Sequence, residues 1–196
     1  MHANLAAGST SGASAFAVGA VVMLVGLLSE EVVGTTDLDV WPWILGAGIA
    51  VSVGLVRLAQ SMRPEVWAVR VLATVADIGA MVYVLVTLSF RAAGAADIAL
   101  PTQLEGLFVL SALSFLTGIV LASALAAIVL VRTDGVPASA GMLLGGMSLL
   151  FLSSLTGLLA VEPPGWLPTV SVALLALLLV ALTLRLRTTP EGGEGT

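Results

Sequence analysis

The chain has 196 residues, 59% hydrophobic and 10% charged, with a mean hydropathy of +1.13 and a net charge of −5. Soluble domains carry about 25% charged residues, so this composition cannot clothe a water-facing surface. All 7 basic residues are Arg and form no patch for nucleic acid; Cys is absent and the single His is His2. That excludes disulfides, thiol catalysis, Cys-ligated metal, a haem or metal centre held by buried His, and a Ser-His-Asp triad.

Six apolar blocks are each long enough to cross a ~30 Å hydrocarbon core, for which about 20 helical residues suffice. The expected fold is all-α: a six-transmembrane-helix bundle with short connecting loops, one integral membrane domain over residues 1–190 and a disordered tail over 191–196. The first span is 13–33. Residues 1–12 lack Lys and Arg, and Ala13-Ser14-Ala15 precedes the apolar run, so the pattern reads as a retained helix and not as a cleaved signal. Its end and the link after it carry Glu30, Glu31, Asp37 and Asp39, whose spacing matches no calcium loop and reads as a solvated acidic rim.

The second span, 41–61, opens on Trp41 and Trp43, which suit a membrane interface, and carries Arg57. A tight turn at 62–65 leads to the third span, 66–90, with Arg70, Asp77, Tyr83 and Thr87. The connection 91–106 has room for a short interfacial helix around Ala99-Leu100-Pro101. The fourth span, 107–131, sets Ser111, Ser114 and Thr117 beside Gly118 in a stripe ~120° wide, followed by Ala122 and Ala126. Asp134-Gly135-Val136-Pro137 makes the next turn. The fifth span, 138–161, contains Gly141 and Gly145 at helix-packing spacing, then Ser153, Ser154 and Thr156. Glu162-Pro163-Pro164-Gly165 turns into the sixth, 166–186.

Arg57, Arg63, Arg70, Arg132, Arg185 and Arg187 fall on one side of this threading and Arg91 alone on the other. Cationic loops stay inside, so both termini are expected in the cytoplasm of a multi-pass cell-membrane protein.

Asp77 interrupts VLATVADIGAMVYVLV, residues 71–86. It lies ~16 Å beyond Val66 along the helix, near the bilayer midplane, where a carboxylate costs ~2.5–3.5 kcal/mol on insertion scales. It must therefore face the bundle interior and either pair or carry a proton. Ala73 and Ala80 narrow its face, and Arg70 or Arg57, at similar depth on adjacent helices, could reach it. The candidate polar site is Asp77, Arg70, Arg57, Tyr83, Thr87, Ser114, Thr117, Ser153 and Thr156, the hydroxyls forming a vestibule outward of the acid.

Two functions fit. One is a structural or accessory membrane subunit in which Asp77 ties helices. The other is a small transporter or ion- or proton-conducting component in which Asp77 titrates. An enzyme is not expected, since one acid with Arg nearby names no reaction, and no cofactor or metal is expected. The partners are the lipid bilayer and either other membrane subunits or a second copy, with no nucleic acid. Asp77→Asn would separate the two, abolishing flux in the second case and impairing folding or assembly in the first.

Overall fold

The structure is a computed structural model describing residues 2–33, 41–61, 66–96, 101–132, 138–159 and 167–187; the side chains of 2–11, 27, 29–33, 41–44, 61, 95, 154–159, 167–169 and 172 lie outside the described set. The described residues form six helices and no strand: α1 (His2–Val33), α2 (Trp41–Ser61), α3 (Trp67–Ala95), α4 (Gln103–Val131), α5 (Ala138–Leu159) and α6 (Leu167–Arg187). The all-α expectation holds. Among the described residues α3 and α4 are long and apolar enough to cross a membrane, while the apolar parts of α1, α2 and α5 are shorter, at Gly12–Gly26, Leu45–Gln60 and Ala138–Ser153.

Three helix ends depart from the sequence reading. α1 begins at His2, well before residue 13. α3 continues past Phe90 to Ala95, and α4 begins at Gln103. Ala92, Ala93 and Ala95 are strong helix formers, so propagation continues through them, and the Ala96 N–H closes the last turn on the Ala92 and Ala93 carbonyls. Arg91 and Glu105 therefore sit on helix ends, not in a loop. Of the segment expected as an interfacial helix, Ala99-Leu100-Pro101, Pro101 is non-helical and 99–100 lie outside the described residues.

Each helix packs on its neighbours in sequence, as short antiparallel links favour, and α6 closes on α1; α2 also touches α4. One core cluster joins all six, including Phe16, Leu55, Phe115, Leu144, Phe151 and Leu179. α2 is the most enclosed helix: of its described side chains only Arg57 and Gln60 are exposed.

Missing side chains set the helix spacings. At Gly79 an added Cβ would stand 2.7 Å from the Phe115 backbone N, and at Gly118 one would stand 2.9 Å from the Leu72 carbonyl. α3 and α4 thus cross backbone to backbone, as small residues allow. Gly48 of α2 leaves the notch that the Phe115 ring fills. Gly141 fits against the Ala127 carbonyl, which seats α5 on α4.

The outer surface is apolar. Along α3, Trp67, Val71, Val75, Ile78, Met81, Leu85 and Leu88 are all exposed. Similar side chains face outward from α1, α4, α5 and α6.

Candidate functional site

Asp77 is presented by α3 toward α2, and the residue it meets is Ser52, fully buried in the middle of α2. Ala73 and Ala80, both fully buried, flank Asp77 on α3. Their short side chains let α2 approach closely enough for a serine to reach the carboxyl.

The hydroxyl count at this contact is informative. Ser52 Oγ lies within hydrogen-bond reach of Asp77 Oδ1 and, at 3.0 Å, of the Ile49 carbonyl. A hydroxyl has one proton to donate. Either Ser52 donates to a carboxylate and leaves Ile49, or it donates to Ile49 while a protonated Asp77 donates to Oγ. The second arrangement satisfies both contacts together. The pair can hold or exchange a single proton, and it ties α2 to α3.

Arg70 turns away from Asp77. Arg70 Nη2 donates to the Ala59 carbonyl at 3.0 Å. Side chains on a helix lean toward its N-terminus, so Arg70 reaches down α3 to the end of α2, away from Asp77. Ala59 is in the last turn of α2, where carbonyls lack intrahelical partners and the dipole end is negative. Arg70 is therefore a cap supplied by the neighbouring helix. Its Nε is buried without a partner among the described residues. Arg57 is exposed on α2.

The hydroxyls expected outward of Asp77 have separate fates. Thr87 Oγ1 donates to the Tyr83 carbonyl at 2.8 Å, Ser111 Oγ to Phe108 at 2.8 Å and Ser153 Oγ to Leu150 at 2.7 Å, each within its own helix. The Tyr83 ring packs on Phe108 of α4 with centroids 4.6 Å apart. Ser114 is partly buried, and Thr117 points outward. Their stripe straddles the edge of the α3 contact, so its Ser111 side is covered and its Thr117 side is not. Thr156 lies in α5, with its side chain outside the described residues.

Sequence reasoning missed Ser52, and the signal for it was present. Ser52 and Asp77, 25 apart, straddle the same turn as Ala59 and Arg70, 11 apart. In an antiparallel hairpin both pairs are cross-helix neighbours. It also passed over Ser148, whose Oγ donates to the Val120 carbonyl of α4 at 3.0 Å, and Ser123, whose buried Oγ has no partner among the described residues. Compared with protein-family models, curated proteins and solved structures, the chain finds no match in any of the three.

Proposed function

We propose that the protein is a six-pass integral membrane bundle of the cell membrane, with both termini cytoplasmic, that acts as a structural or accessory subunit and not as a catalyst. Support for insertion comes from the outward stripe of α3. Trp67 to Leu88 covers 21 residue steps, or ~32 Å of helix against a hydrocarbon core of ~30 Å. Water does not tolerate so long an apolar face on a monomer. The remaining helices complete the threading because each is joined to the next by a short link, and the Arg distribution orients it.

The observation that carries the non-conducting role is the fate of the hydroxyls. Of those that would have formed an access route, Thr87, Ser111 and Ser153 are bonded to carbonyls of their own helices and Thr117 faces outward, while Asp77 is met by Ser52. A conduit needs polar groups open to a passing ion; Thr87, Ser111 and Ser153 are instead closed on the backbone.

Purified protein reconstituted in liposomes tests the role. A pH- and potential-sensitive dye should report the same leak with wild type, Asp77→Asn and empty vesicles. Wild-type flux that Asp77→Asn abolishes while the protein remains folded would replace this reading with a conducting one.

A further inference from the structure

At the far end of the α3–α4 hairpin from Arg70, an open cleft of about 380 Å³ is lined by Thr87, Phe90 and Arg91 of α3 and Glu105, Phe108 and Val109 of α4. Its floor is aromatic, with the Phe90 and Phe108 rings edge to face and their centroids 6.3 Å apart. Arg91 and Glu105 stand on opposite helices, both exposed, and among the described residues no ion pair joins them.

The heights of these residues match the layers of a phospholipid. This step rests on the membrane-spanning reading. With Asp77 near the midplane, Thr87 lies ~15 Å above it and Arg91 ~21 Å above it along α3. The hydrocarbon ends at ~15 Å, and the headgroup layer reaches ~20–22 Å. Thr87 is thus level with the start of the acyl chains and Arg91 with the headgroups, while Phe90, ~20 Å above Asp77, leans its ring toward the N-terminus of α3 and so down toward the chains. A guanidinium is suited to phosphate, and a carboxylate accepts hydrogen bonds from an ammonium. Glu105 is in the first turn of α4, where the helix dipole supports its negative charge.

The geometry points to a binding site for one phospholipid with a phosphoethanolamine headgroup, its phosphate on Arg91, its primary ammonium on Glu105 and the top of an acyl chain against Phe90 and Phe108. The charge order on the cleft is that of the zwitterion. An anionic lipid would satisfy Arg91 and be repelled by Glu105.

The test uses full-length protein in membranes of mixed phosphatidylethanolamine, phosphatidylcholine and phosphatidylglycerol, extracted gently and weighed by native mass spectrometry. Wild type should retain phosphatidylethanolamine at least fivefold over its share of the mixture. Arg91→Gln and Glu105→Gln should each bring retention down to that share, and the double variant should fall no further, because both side chains hold one headgroup. Both are exposed, so the variants fold as wild type. Equal retention of phosphatidylcholine would overturn the assignment of an N–H donor at Glu105. Displacement by water-soluble glycerophosphoethanolamine at equal concentration would overturn the lipid as occupant. Release of wild type from membranes by alkaline carbonate would remove the spanning reading beneath it; retention in membranes without lipid preference would remove this inference alone.

Discussion

Ser52 and Asp77 share one hydroxyl proton between two acceptors, Asp77 Oδ1 and the Ile49 carbonyl, and the shortage is relieved when Asp77 itself donates. Asparagine supplies a donor in the same place, so the folding loss that the sequence leads one to expect of Asp77→Asn in a structural protein gives way to a milder outcome. Asp77→Asn should therefore unfold within about 1 kcal/mol of wild type in reversible SDS or urea titration. Asp77→Leu and Ser52→Ala should each cost about 0.5–2 kcal/mol, the range of hydrogen bonds between membrane helices. In a double-mutant cycle the two losses should be strongly non-additive. Damage from Asp77→Asn equal to that from Asp77→Leu would overturn a donating, protonated Asp77.

Arg70 makes a different prediction from the one its position beside Asp77 invites. Its Nη2 sits on the Ala59 carbonyl at the end of α2, so its loss should loosen that end and not the acid. Arg70→Ala should destabilise the protein by about 1–2 kcal/mol, a charge-assisted hydrogen bond discounted for partial exposure. Hydrogen exchange should rise first in the last turn of α2. Unchanged protection at Leu58–Ser61 in this variant would count against the capping role.

The glycines divide into two groups that the sequence does not distinguish. A Cβ at Gly79 would meet Phe115 N and the Ser111 carbonyl at 2.7 and 2.9 Å, and one at Gly118 would meet Leu72 O at 2.9 Å. These are backbone atoms, so α3 and α4 would have to separate. Gly79→Ala and Gly118→Ala should cost about 1–3 kcal/mol. Gly94 and Gly106 are also helical, but a Cβ there meets nothing within 4 Å. Their replacement by Ala should stabilise by about 0.5–1 kcal/mol through helix propensity. Melting temperatures of the four variants decide it; a loss at Gly106 matching that at Gly79 would contradict the close crossing.

The sequence made the helices legible because turn residues and hydropathy mark their ends directly, and α2 was read to its exact limits at 41 and 61. The face of Asp77 was legible too, since Ala73 and Ala80 recur at helical spacing and both prove fully buried. Its partner was not. Spacing relates hydroxyls along one helix, whereas the contact with Ser52 depends on register between α2 and α3. The arginine contact failed for a related reason: spacing along α3 gives the face but not the lean of a long side chain toward the N-terminus. Polar residues interrupt the hydropathy around Arg91 and Glu105 and suggest a loop, although the Ala run after Arg91 favours helix.

Orientation is directly readable, because a chain without Cys takes a single reporter thiol anywhere. Thr102 and Ala138 are both exposed, the first at the start of α4 and the second at the start of α5, so they lie at opposite ends of the bundle. Neither substitution alters the Arg count that sets the threading. On intact cells a membrane-impermeant maleimide should label Thr102→Cys and leave Ala138→Cys unlabelled until the membrane is permeabilised. The opposite pattern would invert the bundle and put Arg91 and Glu105 inside. Labelling of both sites without permeabilisation would place the two ends of α4 on one side of the bilayer, which no spanning arrangement of its 29 residues permits.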